Sequence, residues 1–196
     1  MLILASRSPA RARLLAEAGV AFVAENASLD EEPLKHSCRA ARMSAREGAL
    51  KLAEEKARIV SSRHPQAVVL GADQILDDGD RWFDKPKDLD EARAQLLSLK
   101  GKTHELVSAA SCLSGGALLW QAASVSRLTM RAFSEAFLDS YLEAEGAALL
   151  GLVGAYRLEG RGVQLFARVE GDFFAIMGLP LLELLSFLRD RRVIGS

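Results

Sequence analysis

The stretch Ala67-Val68-Val69-Leu70-Gly71-Ala72-Asp73 constrains the fold more than any other part of the chain. Its first six residues are apolar or small and show no polar alternation, which is typical of a central strand covered on both faces. Asp73 is the first charged residue after them, so we predict that it lies at the carboxyl end of this strand. Ligands of α/β proteins collect at such strand ends. Asp73 is therefore a candidate site residue, with a turn or capping aspartate as the alternative.

Strand and helix patterns intermix on both sides of this stretch. Leu2-Ile3-Leu4-Ala5 is a second apolar run, and a helix from about Pro9 to Ala18 is predicted between Ser8 and Gly19. Further along we predict a strand at 21–24, helices at 37–63 and 88–99, a turn at 77–80, a hairpin of strands 107–113 and 117–123 with the second extending toward 130, a helix at 134–145, a strand at 163–169 and a helix at 180–192. The hairpin makes the sheet mixed, so the fold class is α/β or α+β.

Composition excludes several classes of protein. The 196 residues carry a formal net charge of −1, so nothing indicates a surface for polymeric nucleic acid. Cys38 and Cys112 lie far apart without CxxC spacing, which argues against a zinc site or disulfides and favours a reducing compartment. No segment reaches the roughly 18 consecutive apolar residues of a membrane span, and no signal peptide is visible. We predict one cytoplasmic domain over residues 1–196.

A candidate anion site follows the first strand. Ser6 and Ser8 supply hydroxyl groups in a polar turn that runs into a helix N-terminus, where backbone N–H groups favour negative charge. Arg11 adds a guanidinium that can grip a phosphate with two hydrogen bonds. The alternative is a capped helix with solvated arginines.

Carboxylates suggest a cation site. Asp30-Glu31-Glu32-Pro33 is predicted to be an extended acidic loop, and such a run is usually just solvated. It gains a function if Asp73 comes near, because Mg²⁺ prefers oxygen ligands and bridges phosphates.

Two lysines and one glycine-rich stretch complete the candidates. Lys56 shares a helix face with apolar residues, so it either extends to the solvent edge or reaches a buried anion. Lys85 precedes Pro86, which fixes its loop. The glycines of 154–162 allow a ligand to approach the backbone, or simply form a flexible loop.

Motifs for other chemistries are missing from the sequence. His36, His64 and His104 lack metal-ligand spacing, and there is neither a GxSxG elbow nor a Walker A loop. The candidate groups are carboxylates and cations, which suits metal-assisted phosphoryl chemistry.

In order along the chain, these stretches resemble the Maf family, whose relatives include the inosine triphosphate pyrophosphatases. The matches are Leu2-Ile3-Leu4-Ala5-Ser6-Arg7-Ser8-Pro9 with Arg11 and Leu14-Leu15, Asp30-Glu31, Leu52-Ala53 with Lys56-Ala57, Gly71-Ala72-Asp73-Gln74, Lys85-Pro86, Gly101 with His104, Gly154-Ala155-Tyr156, and Gly171 with Gly178-Leu179-Pro180-Leu181. The resemblance implies a curved mixed sheet with flanking helices that form two lobes around a central cleft. It also implies a homodimer that hydrolyses nucleoside triphosphates between the α and β phosphates, releasing a monophosphate and pyrophosphate.

The resemblance also implies roles for individual residues. Glu31 and Asp73 would bind Mg²⁺ or Mn²⁺, and either could be the catalytic base. The substrate would be bound by Ser6, Ser8, Arg11, Arg13, Lys56, Gln74, Lys85 and Glu159.

The chain departs from the family pattern at two positions. Ala10 replaces the first of two adjacent arginines, and Arg13 is the nearest substitute. Glu159 stands where the group acting on dTTP and UTP has Gln, so the chain looks more like the group associated with 7-methyl-GTP. A pyrimidine triphosphate remains an alternative substrate. A phosphatase releasing inorganic phosphate and a non-catalytic nucleotide-binding regulator of cell division remain alternative functions.

Overall fold

The computed structural model describes residues 1–195 as a mixed α/β fold. The helices are Pro9–Glu17 (α1), Glu31–Ala40 (α2), Ala45–Ser61 (α3), Leu89–Leu99 (α4), Glu135–Glu145 (α5), Phe173–Ile176 (α6) and Leu181–Asp190 (α7). The strands are Leu2–Ala5 (β1), Val23–Ala24 (β2), Val68–Asp77 (β3), Trp82–Phe83 (β4), Thr103–Ser114 (β5), Ala117–Met130 (β6) and Phe166–Glu170 (β7). The predicted fold class is confirmed.

The seven strands form one mixed sheet. Its order is β2-β1-β3-β5-β6-β7, and β4 pairs with β3. β1 lies parallel to both β2 and β3, whereas the pairs β3–β4 and β6–β7 are antiparallel. Gly115 and Gly116 connect β5 to β6 with positive φ angles of 53° and 80°, the backbone that a two-residue hairpin turn requires. The predicted hairpin is therefore confirmed.

The chain divides into two compact units. The first contains residues 1–74, 107–125 and the chain from Asp172 onward, and the second contains 75–106 and 126–171. Strands β3, β5 and β6 have residues in both units. None of the helices within residues 1–195 combines the length and the apolarity that crossing a bilayer requires.

In the first unit, the sheet is covered on both faces, as the apolar sequence of β3 predicts. On one face, Leu2, Leu4 and Leu70 pack with residues of α1 and α7. On the other, Ile3 and Val69 pack with residues of α3. Because side chains alternate along a strand, Gly71 and Asp73 share the α3 face of the sheet with Val69.

In the second unit, α4 packs with 3₁₀ turns at 146–151 and 153–155, and α5 packs with the first of them. His104 is 2% exposed there, and its Nε2 lies 3.0 Å from the hydroxyl oxygen of Tyr156. Burial lowers the pKa of His104 to about 4, so the imidazole is neutral at neutral pH. His104, the last residue of the Gly101-x-x-His104 motif, thus belongs to the core of this unit.

Several local predictions are confirmed because the signal and the structure lie within a few residues of each other. Ser8 caps α1, and Gly19 follows it with φ +72°. Asp88 and Ser134 cap α4 and α5 through their side chains, as predicted. These residues act through hydrogen bonds to backbone N–H groups of the first helical turn.

Two predictions about the acidic segment and the long helix are wrong. The predicted loop at 30–33 is the start of α2, with Asp30 as N-cap, and Pro33 is tolerated because the first-turn N–H groups have no partner inside the helix. The predicted helix 37–63 is instead the end of α2 and a separate α3. Arg42 interrupts it with φ +54°, and Ser44 with Glu47 forms a capping box.

The predictions for the third strand and the last strand also need correction. β3 extends four residues beyond Asp73 to Asp77, because Leu76 and Asp77 pair with β4. Asp73 is therefore inside the strand and not at its end. The last strand begins at Phe166 and not at residue 163, since 161–165 form a 3₁₀ turn.

Candidate functional site

Glu31 and Asp73 are brought together by one lysine. Lys56 Nζ lies 2.7 Å from Glu31 Oε1 and also forms an ion pair and hydrogen bond with Asp73 Oδ1. The side chains of Lys56 and Asp73 are only 12% and 6% exposed, whereas that of Glu31 is 30% exposed. Of the two alternatives for Lys56, reaching a buried anion is the one that the structure adopts.

A close contact between helix and strand explains why Lys56 reaches Asp73. A Cβ atom on Gly71 would lie 2.0 Å from the carbonyl oxygen of Ala53 and 2.7 Å from the amide nitrogen of Ala57. Only glycine therefore allows the backbone of α3 to lie this near β3. Lys56 lies on α3 between these two residues, and Asp73 lies two residues beyond Gly71 on the same face.

Asp73 has one carboxylate oxygen without a partner. Oδ1 binds Lys56, but the buried Oδ2 forms no hydrogen bond with any residue of the described chain. Burying an unpaired carboxylate oxygen is costly, and such exceptions concentrate at functional sites. This orphaned atom indicates a ligand position beside Asp73.

Lys35 is a candidate site residue that the sequence did not predict. Its Nζ lies 3.5 Å from Glu31 Oε2 and 3.8 Å from Glu32 Oε1, and its side chain is 11% exposed. Glu31 and Lys35 are four residues apart in α2, which places them on one helix face. Reading 30–33 as an extended loop hid this pair, although Asp30 before two acidic residues is a helix-start signal.

The candidate anion site keeps its predicted geometry but uses its arginine differently. Arg11 is buried, and its Nε donates to the carbonyl oxygen of Gly178 at 3.0 Å. Its Nη1 donates to the carbonyl oxygen of Ala72 at 2.8 Å and to Ser6 Oγ at 3.3 Å. Arg11 therefore uses Nε and Nη1 to connect α1 to β3 and to the loop after α6. These two nitrogens are not available to bind a phosphate with two parallel hydrogen bonds.

The electrostatic environment of Arg11 links it to the carboxylates. Burial lowers the pKa of the guanidinium, while the negative charges of Asp73 and Glu31 act in the opposite direction. Arg11 is thus a buried cation whose compensating charges are the two candidate metal ligands. Removing either carboxylate would leave that charge less compensated.

The two serines of the turn are also engaged. Ser6 Oγ accepts a hydrogen bond from the Ser8 amide at 3.2 Å, and Ser8 Oγ accepts one from the Arg11 amide at 3.4 Å. Arg13 lies on the exposed side of α1, where its Nε is 3.8 Å from Glu17 Oε1. Whether Arg13 substitutes for the arginine missing at position 10, and its predicted substrate contact, stay predictions.

Gln74 is held by the first unit. Its Nε2 donates to Ser108 Oγ at 2.8 Å and lies 3.0 Å from the carbonyl oxygen of Ile176. Ser108 in turn donates to the carbonyl oxygen of Ala175. The amide nitrogen is committed to these acceptors, so Gln74 connects β3 to β5 and α6, and its predicted substrate contact stays a prediction.

Lys85 and Glu159 lie in the second unit. Lys85 is exposed next to the buried Pro86. Glu159 Oε1 is 3.6 Å from Arg157 Nε, and Arg157 Nη1 is 3.2 Å from Glu145 Oε2. Two carboxylates thus flank one guanidinium.

The glycines near Glu159 serve the packing of their own segment. A Cβ on Gly162 would lie 2.4 Å from the carbonyl oxygen of Arg157. Gly154 has φ +77°, and a Cβ there would meet the side chains of Leu76 and Tyr156. Their density does not by itself indicate a ligand.

Comparisons with known proteins agree with the resemblance noted in the sequence. The model of the family described as "Maf-like protein" matches residues 1–191. This chain belongs to the Maf family. It is 54% identical to the "Nucleoside triphosphate pyrophosphatase" of Paramagnetospirillum magneticum, over 96% of this chain and 97% of that protein. It is 45% identical to the "7-methyl-GTP pyrophosphatase" of Rhizobium meliloti, over 100% of this chain and 98% of that protein.

A solved structure with a similar name has a much lower sequence identity to this chain than these relatives have. A structure from Mycobacterium abscessus titled "Nucleoside-triphosphatase / dITP/XTP pyrophosphatase" aligns with a TM-score of 0.46 at 15% identity. That alignment covers 98% of this chain and 95% of the other.

Proposed function

We propose that this Maf protein is a nucleoside triphosphate pyrophosphatase that hydrolyses the bond between the α and β phosphates. The observation that carries the proposal is the pair of carboxylates, Glu31 and Asp73, converging on Lys56 with one buried oxygen of Asp73 left without a partner. Relatives similar over their whole length carry the name of this activity. The products would be a nucleoside monophosphate and pyrophosphate.

The site fits a hard divalent cation, Mg²⁺ or Mn²⁺. Two carboxylates offer oxygen ligands, and the orphaned Asp73 Oδ2 is an atom such an ion would use. Within residues 1–195, no group of three or more His, Cys, Asp or Glu side chains is placed to hold a metal. This suits Mg²⁺, which usually takes one or two carboxylates and completes its shell with water and substrate phosphates. When bound, the ion would neutralise phosphate charge and make a water more acidic.

Side chains and backbone groups of the protein would bind the phosphates, accept a proton and position the strands of the site. The N-terminus of α1, with Ser6 and Ser8, offers backbone and hydroxyl donors to the phosphates. Lys56 adds a flexible ammonium with three donors. Asp73 or Glu31 would accept the proton of the water that attacks the α phosphorus. Arg11 would act mainly by holding β3 and α1 in place, given its hydrogen bonds to Ala72 and Gly178.

A panel of nucleotides tests the reaction. We expect incubation with Mg²⁺ and separate nucleoside triphosphates to release pyrophosphate and a monophosphate in equal amounts, measured by ion-exchange chromatography. Release of inorganic phosphate alone would identify a phosphatase instead. Binding without any product would favour the non-catalytic regulator, although such a protein has little need for paired carboxylates.

For the substrate, we propose 7-methyl-GTP within this reaction class, with a pyrimidine triphosphate as the alternative. A carboxylate can accept both donors on the Watson–Crick edge of guanine, and 7-methylation gives the base a positive charge. The Glu145–Arg157–Glu159 cluster supports this choice because it places two carboxylates around one guanidinium. The Rhizobium meliloti relative is named for this substrate, whereas relatives of higher identity carry only the general name.

The Glu159→Gln variant tests the choice of base. We expect it to lower kcat/KM for 7-methyl-GTP by roughly tenfold relative to UTP, since a neutral amide cannot accept both guanine donors and lacks the charge. The measurement is the ratio of kcat/KM values for the two nucleotides. Glu143→Gln, an exposed change on α5, is the matched control. An unchanged ratio in Glu159→Gln would remove Glu159 from base selection.

A further inference from the structure

Lys56 lies between the two carboxylates that the proposed function gives to a metal. Its Nζ contacts Glu31 Oε1 and Asp73 Oδ1, one oxygen from each carboxylate. A second lysine, Lys35, lies 3.5 Å from the other oxygen of Glu31. Of the four carboxylate oxygens, therefore, at least three face an ammonium group in this state.

We propose that Lys56 holds the place of the divalent cation until a nucleotide arrives, so that metal and nucleotide bind cooperatively. This inference rests on the proposed function, which identifies Glu31 and Asp73 as metal ligands. In the nucleotide-free protein, the cation competes with Lys56 for the same oxygens. A triphosphate supplies the new anionic partner that draws Lys56 away.

The competition follows from charge and burial. Lys56 and Asp73 are almost completely shielded from water, so attraction between them, and repulsion of a second cation, is stronger than it would be in solvent. A metal arriving alone would find only Asp73 Oδ2 without a described partner and would face the ammonium of Lys56 nearby. Its affinity for the nucleotide-free site is therefore low.

Departure of Lys56 is feasible because of the type of side chain. Lysine carries its charge on a flexible stem and can exchange one oxygen partner for another without a fixed fork geometry. Glu31 is also held by Lys35, so it does not have to follow Lys56 toward the phosphates. Lys56 would then neutralise phosphate charge while both carboxylates become available to the cation.

A permanent ion pair is the competing explanation. If Lys56 stayed between the carboxylates throughout, its removal would leave Asp73 buried and uncompensated and would mainly reduce stability. It would not link metal binding to nucleotide binding. The two explanations therefore differ in metal affinity, which can be measured without turnover.

The first measurement is Mn²⁺ binding to the nucleotide-free protein, followed by electron paramagnetic resonance. Lys56→Met should lower the Kd for Mn²⁺ by about tenfold, because the competing charge is gone and the side-chain volume is nearly kept. Lys51→Met removes one positive charge from an exposed position on the same helix and should leave the Kd unchanged. Circular dichroism verifies that both variants are folded, and Lys56→Gln replaces Lys56→Met if the latter is not.

The second measurement is the coupling between metal and nucleotide. The α,β-methylene analogue of GTP, which resists hydrolysis between those phosphates, should lower the Kd for Mn²⁺ by about tenfold or more in the wild-type protein. In the Lys56 variant this factor should be smaller than in the wild-type protein, because only the direct coordination of Mn²⁺ by the phosphates remains. Unchanged or weaker Mn²⁺ binding by a folded Lys56 variant, or undiminished coupling in it, would overturn the inference.

Product analysis separates this inference from the proposed function. If the wild-type protein releases pyrophosphate but the Lys56 variant binds Mn²⁺ no more tightly, the inference fails and the proposed function stands. If no nucleotide yields pyrophosphate, the proposed function fails, whereas tighter Mn²⁺ binding in the variant would still support competition between Lys56 and the cation.

Discussion

The Asp73→Asn variant should remain folded and lose at least about a hundredfold in kcat, as expected for removal of a metal ligand or general base. Asparagine has nearly the same size as aspartate, so the packing between β3 and α3 is kept. It has no negative charge to offer a cation and cannot accept the proton of the attacking water. Lys56 still has Glu31 as a partner at 2.7 Å, which limits the cost to the structure.

The measurement is steady-state release of pyrophosphate, together with thermal unfolding of both proteins. Asp80→Asn, in the exposed turn after β3, is the matched control and should keep wild-type kcat. Near-native turnover by a folded Asp73→Asn protein would exclude Asp73 from the mechanism. A loss of turnover accompanied by unfolding would instead make Asp73 a structural residue that compensates Lys56 and Arg11.

The helices that the sequence predicts well are those with local signals. Ser8 with Gly19 brackets α1, and Asp88 and Ser134 start α4 and α5, because a capping side chain reaches only the first turn of its own helix. The mixed sheet follows similarly from apolar strand patterns and the Gly115-Gly116 turn. In each case the structure depends on neighbours in the sequence.

Some errors arise where residues outside the interpreted stretch decide the outcome. The end of β3 is set by pairing with β4, so nothing in residues 67–73 reveals that Asp73 lies inside the strand. The role of Arg11 is likewise decided by the carbonyl oxygens of Ala72 and Gly178, far away in the chain. A side chain that the sequence suggests could bind a ligand can instead form hydrogen bonds within the protein.

The candidate site depends both on local sequence patterns and on contacts between segments far apart in the chain. Glu31 and Asp73 are separated by 41 intervening residues. The residues alone make a shared cation site conditional on the two carboxylates lying close together, and the family resemblance implies that they do. The apolar helix face around Lys56 predicts that its side chain either extends to the solvent edge or reaches a buried anion. In the structure it reaches the buried carboxylate of Asp73. Lys35 was missed although its spacing from Glu31 is helical, because the helix itself was not predicted.

Gly71 allows α3 to pack closely on β3, and this packing also places Lys56 beside Asp73. The Gly71→Ala variant would add a Cβ atom 2.0 Å from the backbone oxygen of Ala53, and backbone cannot rotate away as a flexible side chain can. The helix α3 must therefore move off β3. We expect the free energy of unfolding to fall by roughly 3 kcal/mol, the upper part of the range for overpacked cores. Displacing α3 also displaces Lys56 relative to Asp73.

Chemical denaturation and kcat at low temperature, where the variant is still folded, measure the two effects separately. We expect kcat to fall by about tenfold or more, since even an ångström of misplacement is costly in a positioned site. Gly151→Ala is the matched control, because a Cβ there meets no atom within 4 Å and its φ is not positive. A Gly71→Ala protein with wild-type stability and turnover would mean that α3 can shift away from the added Cβ atom without a loss of stability or activity. The close approach of α3 to β3 would then not be what positions Lys56 against Asp73.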